Sequence, residues 1–277
     1  MPACCRICCC VSLVISEAMS TSWMRLFEAD RFSSVEEIAS ESGRTDALLV
    51  HSGFEPQHLR ALEASSRSAT DDVIRLAYVG TIISEKGFLE MLSALDAVRP
   101  TLSKPVVLEF FGERGYARCP WFNPQWMLEH GMFSDEGLVA SLQRCSWGIV
   151  VMDPEGTDLR YSRFSFPGKV GIYLSAGVPV LGSDLGGIAE LVEHGVNGLL
   201  VPADSLESWQ RVLQRFFDEP ALLERLRAGV QQPRRMDVVA REMHALYSAA
   251  LGPDRRGLVP LAVAEVLDAS ISLKEST

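Results

Sequence analysis

The segment RLAYVGTIISEKGFLEMLSALDAV, residues 75–98, contains the unit from which the fold can be predicted. Its first six residues, RLAYVG (75–80), are a short apolar run ending in glycine, which is typical of a buried strand followed by a turn. In KGFLEMLSALDAV (86–98), apolar side chains then recur at helical spacing, at Phe88, Leu89, Leu92 and Leu95. The segment therefore predicts a strand, a turn and an amphipathic helix.

The same alternation continues to residue 202 and then gives way to helices. Further strands are predicted at VVLEFFG (106–112), WGIVVMDP (147–154), VPVLGSD (178–184) and GLLVP (198–202). Helices are predicted between them at 135–145, 168–176 and 188–195, and after them at 205–217, 220–230 and 238–251. Apolar strands that alternate with helices predict an α/β fold with a doubly wound parallel sheet.

The first 74 residues have weaker patterns. SVEEIASESG (34–43) is predicted to be a helix and ALLVHSG (47–53) a strand, and ASSRSATDD (64–72) is a polar linker. The segment is too short for a second Rossmann-like domain, which needs at least about 100 residues. The predicted organisation is an N-terminal segment 1–74, a sheet domain 75–251 and a C-terminal tail 252–277.

The composition excludes several classes of function. The 277 residues carry 26 basic and 36 acidic side chains, and the net charge of -10 repels nucleic-acid phosphates, so we predict no nucleic-acid partner. Most of the seven cysteines lie in the first ten residues, which predicts neither a disulfide framework nor a metal site. The apolar stretch from Ile7 to Ile15 is too short to span a membrane, and we interpret it as a strand or as the ragged start of an incomplete chain.

The candidate binding residues all follow predicted strands. In an open parallel sheet, ligands bind beyond the carboxyl ends of the strands, where loops and helix N-termini converge. Lys86 follows the first strand, and Lys169 follows the third together with Arg160 and Arg163. Both lysines lie beside a glycine near a helix N-terminus. This arrangement suits a diphosphate, because glycine lets the backbone approach the phosphates and the ammonium groups offset their charge.

Each of these residues also has a simpler interpretation. Lys86 could be a solvated residue in the first turn of its helix, and Arg160 and Arg163 could be surface residues. Neither lysine has P-loop spacing, and no strand is followed by G-x-G-x-x-G. The histidines have no catalytic or metal-binding spacing, and the acidic loop DPEGTD (153–158) is explained by its turn residues alone. The prediction of a phosphate site therefore depends on the convergence of several residues at one edge.

Four segments within residues 75–202 carry a resemblance to a known family: YVGTIISEKGFLEML, FFGERG, HGMFSDEGLVASLQRCSWGIVVM and FPGKVGIYLSAGVPVLGSDLGGIAELVEHGVNGLLV. Together they resemble the C-terminal, nucleotide-sugar-binding domain of retaining glycosyltransferases with two Rossmann-like domains, the GT-B type of glycosyl transferases group 1. VHSGFEPQHL (50–59) resembles the connection that enters this domain. The resemblance implies that residues 1–74 are the remnant of an N-terminal acceptor domain followed by a linker.

The resemblance implies a glycosyltransferase, or its donor-binding portion, that moves a sugar from a nucleoside diphosphate sugar to a sugar, lipid or protein acceptor without a metal or other cofactor. Lys86 and Lys169 would stabilise the leaving diphosphate. The base would lie near Gly131 and Met132, and the sugar near the loop ending at Pro167. The implied donor-binding residues are Thr81, Lys86, Gly112, Gly131, Met132, Arg163, Ser165, Pro167, Lys169 and Ile172.

The chain departs from the family pattern at three points. Thr81 stands where much of the family has an arginine, so that diphosphate contact is either missing or supplied elsewhere, and Arg160 or Arg163 could substitute. Phe164 and Ile172 stand where the family often has two glutamates, and Ile172 cannot accept hydrogen bonds from ribose hydroxyls. The N-terminal domain is mostly absent, so a partner chain or upstream sequence would supply the other wall of the cleft.

Two alternatives stay open at this point. One is a catalytically degenerate module that binds a nucleotide sugar, which the residues at positions 81, 164 and 172 favour. The other is an interaction scaffold that binds no nucleotide. The resemblance implies a cytoplasmic protein, peripheral at the inner membrane face, although a net charge of -10 is unlike that of a lipid-binding surface.

Overall fold

The computed structural model describes residues 13–16, 47–50, 72–82, 85–112, 115–132, 135–152, 167–202, 205–217 and 219–251. The strands there are β1 (Leu13–Ser16), β2 (Ala47–Val50), β3 (Ile74–Val79), β4 (Val106–Phe111), β5 (Met127–Gly131), β6 (Trp147–Val150), β7 (Val180–Ser183) and β8 (Gly198–Val201). The α-helices are α1 (Glu85–Val98), α2 (Asp135–Leu142), α3 (Gly168–Ser175), α4 (Gly186–Leu191), α5 (Leu206–Phe217), α6 (Pro220–Gly229) and α7 (Met236–Leu251).

Strands β3 to β8 form one sheet in the order β5-β4-β3-β6-β7-β8, and every neighbouring pair is parallel. The chain builds outward from β3 through β4 to β5, then returns to the other side of β3 and continues through β6, β7 and β8. The direction of winding reverses between β3 and β6, which is the switch point at which open α/β sheets bind ligands. The predicted doubly wound parallel sheet is confirmed.

The central strand β3 is covered on both faces. Leu76 and Tyr78 belong to an apolar cluster with residues of α1 and α5, whereas Ala77 and Val79 belong to a second cluster with residues of α2 and α3. Successive side chains of a strand point to opposite faces, so each face of β3 packs against its own helices. Burial on both faces explains why this segment is apolar without alternation.

Strand β5 is the one strand of this sheet that the sequence analysis does not predict. It lies at the edge, and its burial alternates, with Leu128 43% exposed between the buried Met127 and the half-buried Glu129. Glu129 pairs with Phe110 and Gly131 with Phe111, so His130 is the extra residue of a bulge. The strand forms because β4 supplies a pairing edge, and no local pattern in MLEHG predicts it.

The other predicted elements are found with small shifts. Helix α2 ends at Leu142 instead of residue 145, and α4 covers Gly186–Leu191 instead of 188–195. The strand predicted at 47–53 is β2, which pairs antiparallel with β1 at the end of the N-terminal apolar stretch. The predicted helix 34–43 and the tail 252–277 lie outside the described residues.

The described residues divide into two compact units. Those from 72 to 233 form the first unit, which holds the six-stranded sheet and helices α1 to α6. The second unit holds β1, β2 and the described residues from 234 to 251, including α7. The predicted domain boundaries at 74 and 251 stay predictions. No helix in the described part of the chain is long and apolar enough to cross a membrane.

Candidate functional site

Three neighbouring strands of the sheet end in glycines with positive φ. Gly80 follows β3 with φ 77°, Gly112 follows β4 with φ 120°, and Gly131 ends β5 with φ 78°. The amide of Gly80 donates to the carbonyl of Phe111 at 2.7 Å, and the amide of Gly112 donates to that of Gly131 at 2.9 Å. A Cβ on Gly112 would lie 3.2 Å from the backbone of Gly80, so a side chain there would separate the two loops.

Lys169 lies at the switch point. It is the second residue of α3, which follows β6, and its side chain extends over the end of β3. Its Nζ donates to the Thr81 carbonyl at 2.7 Å and to the Tyr78 hydroxyl at 3.1 Å, and lies 4.3 Å from the centroid of the Tyr78 ring. The structure therefore brings together two of the predicted donor-binding residues, Thr81 and Lys169.

Tyr78 is a neutral partner for this ammonium group. Burial, with a smaller contribution from Tyr116, raises the pKa of Tyr78 well above its usual value. The hydroxyl therefore keeps its proton, which it donates to the Thr81 carbonyl at 3.3 Å while it accepts from Lys169. The hydrogen bonds to Tyr78 and Thr81 thus hold the Lys169 ammonium group at the carboxyl end of β3.

Tyr173 of α3 joins the two strands beside the switch point. Its buried hydroxyl accepts from the Val79 amide at 2.8 Å and lies within 3.1 and 3.2 Å of the Ala77 and Ile149 carbonyls. Its ring occupies the space that a Cβ on Gly148 of β6 would need. The hydroxyl replaces ladder hydrogen bonds where β3 and β6 diverge, and so it fixes α3, and Lys169 with it, against the sheet.

A buried carboxylate lies beneath the β5 end of this edge. Glu109 of β4 is 5% exposed and accepts from Arg75 Nη1 at 2.7 Å, and His130 Nε2 lies 2.7 Å from its other oxygen. The His130 ring stacks on Phe111, with ring centroids 4.7 Å apart. Just beyond Gly131, Met132 is 65% exposed. The two residues predicted to lie near the base, Gly131 and Met132, are thus the last residue and the next one after a strand that His130 holds by its contact with Glu109 and by stacking on Phe111.

Lys86, the other lysine of the predicted site, is the second residue of α1, the helix that follows β3. It is exposed at the start of α1 and shares a helix face with Leu89, Glu90 and Ser93. These side chains line an open groove of about 520 Å³ with Leu206 of α5. Lys86 thus lines this groove, and its contact with a diphosphate stays a prediction.

The remaining predicted residues have varied positions. Pro167 is buried just before α3, and Ile172 is 8% exposed within the apolar cluster that contains Val79 and Phe111. Arg163 and Ser165 lie outside the described residues, as do Arg160 and Phe164. In the parts of the chain that are described, no group of three or more His, Cys, Asp or Glu could hold a metal ion. Independence of metal stays a prediction.

Sequence reasoning missed the tyrosines that organise this edge. Tyr78 and Tyr173 occur in apolar runs, which predict core residues, and their rings do lie in the core. Tyr116 follows Gly115 in an irregular segment with no strand or helix period. The available signal was a tyrosine in place of phenylalanine at three buried positions, because a buried hydroxyl requires a hydrogen-bond partner.

Comparison with known proteins identifies the family. A family model described as glycosyl transferases group 1 matches residues 73–219. A D-inositol 3-phosphate glycosyltransferase of Streptomyces griseus is 38% identical over 85 residues, which is 30% of this chain and 18% of that relative. The chain thus spans less than a fifth of the length of this curated relative in the matched region.

Solved structures show the same fold at low identity. Sucrose-phosphate synthase from Thermosynechococcus elongatus has a TM-score of 0.56 at 18% identity, over 76% of this chain and 55% of that one. HepE of Anabaena, in complex with UDP and glucose, has a TM-score of 0.50 at 15% identity, over 72% of this chain and 56% of that one. The family match covers more than half of the chain and coincides with the sheet unit. The chain therefore belongs to the glycosyl transferases group 1 family, and its parallel sheet is a Rossmann-like domain of the GT-B type.

Proposed function

We propose that the chain binds a nucleoside diphosphate sugar beyond the carboxyl ends of β3, β4 and β5, and that it acts as the donor-binding part of an enzyme that transfers the sugar. The observation that carries this proposal is the ammonium group of Lys169, held at the switch point by the Thr81 carbonyl and the Tyr78 hydroxyl. A fixed cation at this position suits a diphosphate, because an anionic ligand needs little rearrangement of the site to bind there.

The chemistry of the donor supports a role for this cation. During transfer, an acceptor hydroxyl oxygen bonds to the anomeric carbon as the bond from that carbon to the β-phosphate oxygen breaks. The electron pair of the broken bond leaves with the diphosphate, which takes up the hydroxyl proton. Lys169 would stabilise that developing charge by a charge-assisted hydrogen bond. This role needs no metal, which is why we propose metal-independent transfer. Departure of the diphosphate from the face that the acceptor attacks would retain the anomeric configuration, so we also propose retention.

The proposed donor is a uridine diphosphate sugar. HepE, which shares the fold, has been solved in complex with UDP and glucose. In this chain the base would lie beside Gly131 and the exposed Met132, and the sugar beside the loop that ends at Pro167. The acceptor is proposed only as a sugar, lipid or protein. Membership of the family favours sugar transfer over a degenerate binding module or a scaffold.

Thermal unfolding of the full chain with and without UDP, GDP and ADP tests the proposal. Ligand at a hundred times its Kd stabilises the folded state by about 2.7 kcal/mol, so a clear rise in Tm is expected with at least one nucleotide. Lys169→Ala should weaken binding by about tenfold or more, because it removes a hydrogen bond from a charged donor. Lys86→Ala should have a smaller effect, since Lys86 lines the groove beside α5.

Lys104→Ala is the matched control. Lys104 precedes Val106, the first residue of β4, and so lies at the amino edge of the sheet, opposite the candidate site. Its loss should leave nucleotide binding unchanged. If no nucleoside diphosphate or nucleotide sugar raises Tm, the proposed donor site is wrong. If a nucleotide binds, release of free sugar or transfer from UDP-glucose then tests catalysis.

A further inference from the structure

The loop Gly80–Ile82, which follows β3, is fixed through its backbone. The hydroxyl of Tyr116 donates to the Gly80 carbonyl at 3.0 Å and accepts from the Ile82 amide at 3.2 Å. It thus bridges the two ends of the loop. The carbonyl between them, that of Thr81, accepts from Lys169 and Tyr78. Two successive carbonyl dipoles are therefore neutralised by protein donors, which lowers the negative potential that an anionic ligand would meet.

Tyr116 is itself held by a carboxylate from the edge strand. Glu129 of β5 accepts from the Gly115 amide at 3.1 Å and from the Ala117 amide at 2.8 Å. These two amides flank Tyr116 in the short turn Tyr116–Arg118. A carboxylate that accepts from the backbone amides on both sides of Tyr116 fixes the turn as a side chain fixes the start of a helix. Glu129 therefore determines where the Tyr116 hydroxyl lies.

The ring of Tyr116 is restrained as well. It is 9% exposed, and its centroid lies 5.0 Å from that of Phe110 and 6.1 Å from that of Trp121. Aromatic packing holds the ring, and the hydroxyl reaches out of the cluster to the loop. The Tyr116→Phe change would therefore remove the two loop hydrogen bonds and keep the packing.

We propose that Tyr116, held by Glu129, is a positioning residue for the diphosphate site, acting through the backbone of Gly80–Ile82. This inference rests on the proposed function. The same loop presents the Thr81 carbonyl that holds the Lys169 ammonium, 2.7 Å away. When the loop is loosened, the cation loses its fixed partner, and ligand binding must then include the cost of ordering both.

Isothermal titration of the full chain with UDP tests the first step. We expect Tyr116→Phe to raise the Kd by about five- to tenfold, as for the loss of one or two loop hydrogen bonds. Ser146→Ala is the control, because the buried Ser146 hydroxyl also accepts a backbone amide, that of Arg75, but at the amino end of β6. It should lower Tm and leave the Kd unchanged. Hydrogen exchange at the Ile82 amide in the free protein should accelerate in Tyr116→Phe only.

Glu129 is tested by rescue and by coupling. Glu129→Ala should weaken UDP binding to a similar extent, and Glu129→Gln should restore part of the affinity, since its amide oxygen can still accept from Ala117. In the Tyr116→Phe/Glu129→Ala double variant, the Kd should rise less than the product of the two single effects. Independent effects would overturn the claim that Glu129 acts through Tyr116.

The outcomes separate this inference from the proposed function. If the native chain binds UDP and Tyr116→Phe binds it equally well, the positioning role is wrong and the proposed donor site stands. If the native chain binds none of UDP, GDP and ADP, the proposed function fails and the inference fails with it. Faster exchange at Ile82 without a change in the Kd would also overturn the inference, because the loop would then move without affecting the ligand.

Discussion

Glu109 is the carboxylate most deeply buried among the described residues, and its two partners differ in kind. Its side chain is 6% exposed, whereas Arg75 and His130 are 36% and 29% exposed. A buried carboxylate is costly unless it is paired, and here one oxygen faces a guanidinium and the other an imidazole. Because Arg75 and His130 both reach solvent, water would hydrate them if Glu109 were lost. The loss of stability would therefore come mainly from the buried position that the carboxylate occupies.

We expect Glu109→Gln to lower the free energy of unfolding by about 1–3 kcal/mol, because a neutral amide with one oxygen cannot replace both oxygens of a buried, charged carboxylate. Glu224→Gln is the control. Glu224 pairs with Arg227 on α6 but is 55% exposed, and its loss should cost less than about 1 kcal/mol. Urea unfolding followed by far-UV circular dichroism measures both. Equal losses of unfolding free energy in the two variants would show that the buried contacts of Glu109 stabilise the chain no more than the exposed pair of Glu224 does.

The sequence identifies the charged residues of the candidate site more readily than it identifies where their side chains lie. Lys169 could be selected because a Pro-Gly turn and a helix start precede it, and the structure places it beside Thr81. Lys86 has a similar local sequence and lines a groove with Leu206 of α5, and its contact with a diphosphate stays a prediction. Tyr116 shows in the sequence only as a tyrosine in an irregular segment, because the partners of its hydroxyl lie 34 and 36 positions away.

Helix α3 connects the switch point to the core. Its eight residues include Lys169 at the ligand edge and Tyr173 one turn further, between β3 and β6. Close approach of the helix requires Gly148 on β6, since any Cβ there would overlap the Tyr173 ring. The position of the cation is therefore determined by a glycine that lies inside a neighbouring strand and never meets a ligand.

Gly148→Ala should destabilise the sheet unit by about 1–3 kcal/mol or more, through overpacking against Tyr173. It should also weaken UDP binding, since α3 must move away from β3 together with Lys169. Chemical denaturation and UDP titration measure the two effects. A stable Gly148→Ala variant with native UDP affinity would contradict this account of α3.

The strands that could be predicted from the sequence are those buried on both faces of the sheet. Strands β3, β4, β6, β7 and β8 are short apolar runs followed by turn residues, and helices of ordinary amphipathic period separate them. Strand β5 could not be predicted because its pairing comes from β4, while its own residues include Glu129 and His130. The same two polar residues hold the loop of Tyr116 and the carboxylate of Glu109.

The two units of the molecule carry different interactions. The first unit contains the sheet and every described residue of the candidate site. In the second, α7 begins with a cluster of ion pairs in which Asp237 accepts from Arg235 at 2.8 Å and from Arg241 at 3.2 Å, and Arg234 pairs with Glu242. Asp237 also lies in the first turn of α7, where a negative charge suits the helix dipole.

The ion pairs of Asp237 make the stability of the folded chain depend on pH. The hydrogen bond from Arg235 lowers the pKa of Asp237, with a smaller contribution from Arg241, so the folded chain binds a proton less readily than the unfolded chain. The stabilisation is therefore complete above the unfolded value, about 3.9, and is lost as the pH falls through the lower folded value.

Asp237→Asn should accordingly reduce the urea midpoint by a constant amount between about pH 5 and pH 8. The difference from the native chain should shrink below about pH 4, where Asp237 takes up a proton in the unfolded chain while the folded chain does so only at lower pH. Urea titrations across that range, followed by circular dichroism, measure the difference. The UDP affinity should stay unchanged at pH 7, because no described residue of the candidate site lies in the second unit. A difference in midpoint that grew on acidification would contradict a lowered pKa for Asp237, and a weaker UDP affinity in Asp237→Asn would show that the donor site depends on the second unit as well.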